Sequence, residues 1–261
     1  MIDGERLAGF LAAAGFERAA AVLDPLEPEG PAVWAGNPDA DVYPASMLKT
    51  PLSAAALVLV DRGELALESR FAVEQANMTV NDKPSPLVPG YTAALAEIIA
   101  LAITRSDNVG TNMLYDIVGR ERASGIAREI FGLGDTAFHR KLSGADPLIV
   151  DPQWDGKRMN RHSARDAARL FRMIKRSEVP YAQFLLDLLS KQEWNNKLSE
   201  GLRAGDRFAH KTGDTDSVTH DGGILKLDDG REFVLVVYAA MPSNDENNAR
   251  FAAFMRLLRA A

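Results

Sequence analysis

Strand signals occur only toward the two ends of this chain, and a long helical stretch separates them. After a helical pattern over residues 3–15, Ala19–Leu23 (AAAVL) and Pro31–Ala35 (PAVWA) read as two short strands. The turn-prone Asp24-Pro25-Leu26-Glu27-Pro28-Glu29-Gly30 between them predicts a hairpin. From Ser46 to about Glu193 the signals are mainly helical, and Ala54–Val60 and Leu95–Thr104 are apolar almost all round, as in buried helices. Ser163-Ala164-Arg165-Asp166 has the form of a capping box ahead of a helix through Ile174. Strand patterns return at Arg207–Thr212, Gly223–Leu227 and Glu232–Ala240, with Asp228-Asp229-Gly230 as a hairpin turn between the last two. Ser243-Asn244-Asp245-Glu246 then caps a closing helix carrying apolar Phe251, Phe254, Leu257 and Leu258.

Few folds accommodate this order. Consecutive strands joined by tight turns pair antiparallel. The expected architecture is α+β: an antiparallel sheet of about five strands built from both chain ends, flanked by terminal helices, with an all-helical lobe inserted. Residues 1–45 and 195–261 would form the α/β lobe and 46–194 the mainly helical one, in a single unit spanning 1–261. The cleft between the lobes is the place to look for a site.

Composition removes several classes of function. A net charge of −6 argues against nucleic acid as a partner, since a basic face would be expected. No cysteine is present, so neither a disulfide framework nor a thiolate metal site is expected. His139, His162, His210 and His220 lack metal-ligand spacing and no His-Glu-x-x-His occurs, so no metal or other cofactor is expected. Leu7–Phe16 is apolar, but the preceding MIDGER lacks the positive charge of an export signal, and an amphipathic first helix is expected instead. No stretch approaches the ~18 apolar residues of a membrane span, so no membrane anchor is expected. The compartment stays open, and a monomer is expected.

Three short segments carry chemistry. Ser46-Met47-Leu48-Lys49 opens an apolar helical run, and Ser46 is the one serine with lysine three residues on. Positions i and i+3 share a helix face, so the lysine amine can lie beside the serine hydroxyl and activate it. Ser106-Asp107-Asn108 follows the helix ending near Thr104, and Lys211-Thr212-Gly213 ends an apolar strand. Singly, the second reads as an ordinary helix cap and the third as an ordinary strand end. Together and in this order, they are similar to the set of class A β-lactamases and penicillin-binding proteins. The chain resembles the class A β-lactamase family over nearly its full length, and the broader class A-related serine hydrolases most of all.

The resemblance implies a role for each residue. Ser46 attacks a carbonyl and becomes acylated. Lys49 takes its proton, which requires a neutral amine, and burial beside a second cation, Lys211, favours that form. Ser106 relays a proton to the leaving nitrogen, and Asn108 bonds the lysine or the substrate. Lys211 with Thr212 grips a substrate carboxylate, and Gly213 leaves room for substrate along the strand edge. The backbone N–H groups of Ser46 and Asp214 form the oxyanion hole. Pro51 falls near the helix start, where its missing N–H costs little.

Two departures stand out. The family takes its deacylating glutamate from a loop after Ser-Asp-Asn, but no glutamate occurs between Phe131 and Ser177. The loop over 139–160 holds Asp146, Asp151 and Asp155 instead, and the Asp-Pro dipeptides 146–147 and 151–152 are typical of turns. Where many members present an arginine to the substrate carboxylate, His220 falls, followed by Asp221; if the two touch, Asp221 would raise the histidine pKa and make it a pH-dependent partner. Trp154 and Trp194 are assigned no role. The expected function is a serine hydrolase acting on a small-molecule β-lactam or related amide through acyl-Ser46. The alternatives are a peptidase or esterase of the penicillin-binding type, or a binding protein acylated once.

Overall fold

The computed structural model describes residues 2–143 and 151–261. Asp3 caps the first helix, α1 (Gly4–Ala13), by accepting from the Arg6 N–H at 2.9 Å. Strands β1 (Ala19–Glu27) and β2 (Val33–Ala35) follow as an antiparallel hairpin. The helical body comprises α2 (Lys49–Asp61), α3 (Leu95–Thr104), α4 (Asn108–Val118), α5 (Arg120–Glu129), α6 (Ala164–Lys175) and α7 (Ala182–Leu189). A small ribbon of β3 (Arg70–Ala72) and β4 (Thr92–Ala94), which the sequence pattern did not signal, lies between α2 and α3. Strands β5 (Arg207–Asp214), β6 (Thr219–Lys226) and β7 (Glu232–Ala239) then lead into α8 (Asp245–Arg259).

The chain ends close one five-stranded antiparallel sheet in the order β2-β1-β7-β6-β5. Side chains alternate between the faces of a strand, and that alternation sorts the core. Val22, Leu26, Ile224, Val234, Val236 and Tyr238 pack toward the helical body. Their neighbours Ala21, Leu23, Leu225, Leu235 and Val237 pack against α1 and α8, where Leu7, Phe251 and Phe254 have no exposed surface. Every residue from Lys49 to Val60 is buried, so α2 runs through the middle of the helical body. Ser163 caps α6 by accepting from the Asp166 N–H, as the capping-box motif predicts.

β1 outruns its expected end. The segment read as a turn continues in the ladder to Glu27, opposite Glu232, with an irregularity between Pro25 and Glu27 that accommodates the missing proline N–H. Asp24 is not free to form a turn, because its carboxylate accepts from Arg172 Nη1 of α6 at 2.6 Å. Strand β5 is the sheet edge, and its end meets the turn that starts α2; the site lies there. Among the described residues no helix is long and apolar enough to cross a membrane.

Candidate active site

Ser46 stands on a 3₁₀ turn, Ala45–Leu48, that runs directly into α2. With three residues per turn, side chains at i and i+3 eclipse, so Ser46 and Lys49 share one side more closely than on an α-helix. Ala45 adopts φ +48° and Ser106 φ +58°, left-handed conformations that cost a non-glycine residue about 1–3 kcal/mol each. One precedes the candidate nucleophile. The other turns both the carbonyl and the hydroxyl of Ser106 toward the same amine.

That amine is Lys49 Nζ, which donates to Ser106 O at 2.5 Å, Ser106 Oγ at 3.1 Å and Asn108 Oδ1 at 2.7 Å. Asn108 is held in turn by Asn81, which accepts from its N–H at 2.5 Å, and by Val80 O, which accepts from Nδ2 at 2.9 Å. Asp107 caps α4, accepting from the Gly110 N–H at 2.8 Å, so the cap reading of this triplet holds alongside the clustering of its other two residues. Lys211 Nζ reaches Ser106 Oγ at 3.0 Å from the opposite side and Thr212 O at 2.9 Å. Two fully buried lysines therefore share one serine oxygen.

This proximity sets their protonation. Burial, and then the Lys211 charge, push the Lys49 ammonium well below its ordinary pKa. Burial is the main cause for Lys211 as well and brings it to about 7. An ammonium has three protons to donate, whereas a neutral amine has two and a lone pair. Loss of one proton from Lys49 thus reverses its Ser106 contact and lets the hydroxyl donate to the amine. Among the described residues Ser46 Oγ has no hydrogen-bond partner.

Ser46 lines a cavity of about 240 Å³ with Ser106, Thr212, Asp214, Asp82 and Trp194. It also lines an adjoining one with Asn108, Arg140, Leu142, Ser143 and Asp216. Of the sequence-derived site residues, Ser46, Ser106, Asn108, Thr212 and Asp214 line these cavities, and Lys49 and Lys211 lie buried directly beneath. Gly213 has a different use from the one expected. A Cβ there would come within 3.0 Å of Pro44 O and 3.2 Å of Met47 N, so the missing side chain admits the backbone of the Ser46 turn rather than a substrate.

His220 is not brought to the cleft. Its fully buried ring donates from Nε2 to Tyr43 O at 2.9 Å, accepts the Ala239 N–H at Nδ1 and stacks on Tyr238. Burial lowers its pKa to about 4, the reverse of the expected rise. Asp221 points to the other face of β6, because adjacent strand residues alternate, and meets His210 Nδ1 at 2.7 Å. The loop aspartates are also committed elsewhere. Both Asp151 oxygens are taken by Arg120, at 2.6 and 2.7 Å, and one also accepts the Lys141 N–H. Asp155 pairs with Arg158 at 2.6 Å, and Asp146 lies outside the described residues.

Three residues entered the site unannounced by sequence. Leu142 projects into the Ser46 cleft from the loop, its backbone clamped by Asn112, which accepts its N–H at 2.7 Å and donates to its C=O at 2.8 Å. Trp194 forms part of the cleft wall, with Lys83 Nζ 4.6 Å from its ring centroid. Lys197, with no exposed surface, donates to Asp214 Oδ1 at 2.5 Å and His220 O at 2.9 Å. Its one sequence signal is that it sits among polar residues, Asn195-Asn196, shortly before β5.

A serine, two buried lysines, a second serine and an asparagine thus converge under a sheet edge. A family model described as the Beta-lactamase enzyme family matches residues 10–258, and the chain belongs to that family. The extended-spectrum β-lactamase PER-1 of Pseudomonas aeruginosa is 25% identical over 210 residues, 74% of this chain and 66% of that protein. The match thus spans slightly under two thirds of the relative's length. The structure of PBP-A superposes with a TM-score of 0.82 at 25% identity, covering 97% of this chain and 94% of PBP-A. A β-lactamase from Sphaerobacter thermophilus superposes at 0.83 with 24% identity over 98% of this chain and 97% of its own, a likeness of fold.

Two outcomes follow from the packing and charge of this site. Gly213→Ala forces the Ser46 turn away from β5 and destabilises the protein by about 1–3 kcal/mol, the range of an overpacked core, read as a lower urea midpoint at unchanged slope. Folding lowers the Lys211 pKa to about 7 from the unfolded lysine value of about 10.4. Between those values the unfolded chain binds the extra proton, so the lysine's contribution makes stability rise with pH from about 7 to 10. Lys211→Met flattens that rise in urea titrations across the window; an unchanged slope contradicts the assignment.

Proposed function

We propose that this protein is a serine acyl-transfer enzyme that forms an acyl-enzyme at Ser46 with a β-lactam or a related amide or ester. The observation that carries the reading is the cluster in which Lys49 and Lys211 both donate to Ser106 Oγ beneath a cleft lined by Ser46. In the neutral form favoured by burial, Lys49 supplies the base, directly or through the Ser106 hydroxyl. As Ser46 Oγ bonds to the substrate carbonyl, its proton passes to the lysine. The same proton returns through Ser106 to the leaving nitrogen or oxygen as the acyl–leaving-group bond breaks. The N–H groups of Ser46 and Asp214 receive the oxyanion. Membership of the Beta-lactamase family and likeness to PBP-A support this chemistry.

A second reading concerns the fate of the acyl-enzyme. Release by water needs a base on the cleft wall. The described loop residues lining the cleft are Arg140, Leu142 and Ser143, so its carboxylates, Asp82, Asp214 and Asp216, come from other segments, and Asp151 of the loop is locked onto Arg120. This favours a penicillin-binding type of enzyme, with a β-lactam adduct that persists, over rapid β-lactam hydrolysis.

Intact mass after mixing with a penicillin, a cephalosporin and an activated ester tests both readings. A covalent adduct is expected with the wild type and none with Ser46→Ala, while Lys49→Ala slows acylation by about 10²-fold or more, the scale of a lost general base. No adduct with any of the three reagents would sink the nucleophile assignment. For the second reading, the adduct persists in the wild type, and Leu142→Glu, which places a carboxylate on the cleft wall, speeds its loss by about tenfold or more. Rapid release by the wild type decides instead for hydrolysis.

A further inference from the structure

The edge of β5 carries a feature that bears on which acyl donors the Ser46 cleft accepts. Thr212 and Asp214 are two apart and share the side of the strand that lines the cavity, whereas Lys211 and Gly213 face the Ser46 turn. The Asp214 side chain is 36% exposed, so its carboxylate reaches the cleft while remaining anchored. Its Oδ1 accepts from Lys197 Nζ at 2.5 Å and from Thr219 Oγ1 at 3.0 Å. Lys197 in turn spends its three donors on Asp214, His220 O and, at 3.5 Å, Gly213 O. It has no exposed surface from which to reach a ligand. Burial opposes ionisation of Asp214, but the adjacent Lys197 charge and its hydrogen bond outweigh it and keep the carboxyl below its usual range.

Charge around the cavity points the same way. The described residues lining it with Ser46 include Asp82 and Asp214 and no lysine or arginine. The adjoining cavity adds Asp216 and Arg140. Arg140 is itself committed to Ser143 Oγ at 2.5 Å and lies 4.6 Å from the Trp154 ring centroid. Of the described cations near Thr212, Lys211 is already donating to Ser106 and Thr212 O, and Lys197 to Asp214.

Resting on the acyl-transfer reading, we propose that Asp214, held by Lys197, is a specificity-determining residue that fills the anion position beside Thr212 from within the chain. The cleft then prefers acyl donors with no carboxylate next to the scissile bond, neutral amides and esters, over carboxylate-bearing ones. A donor carboxylate seated there meets a like charge at short range, where the low effective dielectric makes repulsion costly. A neutral group, or one that donates a hydrogen bond, does not.

Penicillin G and its methyl ester share a β-lactam ring and differ in that one charge. Their rates of adduct formation, read by intact mass on the full chain, test the proposal. The wild type acylates with the ester faster than with the acid by about tenfold or more. Asp214→Asn, which keeps the shape and removes the charge, collapses that ratio toward one. Faster acylation of the wild type by the acid, or a ratio that Asp214→Asn leaves unaltered, overturns this proposal and leaves the acyl-transfer reading standing. Adducts with neither compound, nor with an activated ester, overturn both.

Discussion

Two lysine side chains without exposed surface donate to a single serine oxygen, and the site is organised around that contact. Lys49 comes from the central helix, Ser106 from the turn between two helices and Lys211 from the edge strand, so the contact joins the helical body to the sheet. An isolated buried ammonium is costly. Among the described residues no carboxylate forms an ion pair with either amine, and each is satisfied by carbonyl, hydroxyl and amide oxygens instead. Burial and mutual repulsion then favour the neutral amine, the form that can accept a proton. The arrangement that makes the lysines expensive to bury is the one that favours their neutral form.

The surrounding structure keeps this contact in place. Left-handed backbone at Ala45 and Ser106 aims the groups, and the packed segments on either side hold those conformations. Gly213 lets the Ser46 turn press against β5, so Ser46 and the strand that faces it are positioned by one backbone contact. Behind the strand, Asp221 accepts the Leu198 N–H at 3.0 Å and meets His210, which fastens the segment carrying Lys197. Lys197 fastens Asp214. The strand edge offered to a substrate is thus set by buried polar contacts on the side away from the cleft.

Much of the fold was legible because its signals are local. Strand-forming apolar runs marked β5, β6 and β7, Asp228-Asp229-Gly230 marked their last turn, and Ser163 marked the start of α6. The end of β1 was misread because proline and acidic residues there also signal a turn. Only the ladder to β7 and the Arg172 contact, far along the chain, decide otherwise. His220 was misplaced for a related reason: counting along the chain gives its position on β6, but not the Tyr43 carbonyl and Tyr238 ring that bury it. Leu142 and Lys197 gave little warning, since neither residue type marks a site until its neighbours are known.

By itself, the sequence determined the class of fold and singled out the residues of the lysine–serine cluster. Strand and helix patterns, caps and turns act within a few residues, and the three motifs occur together in one order. Tertiary structure decided what those residues face: Lys49 lies against Ser106 and Asn108, Gly213 against backbone, His220 away from the cleft and Asp214 beside Lys197. Those outcomes depend on contacts between segments distant in the chain. Burial, shared protons and charge pairing exist only once such segments meet.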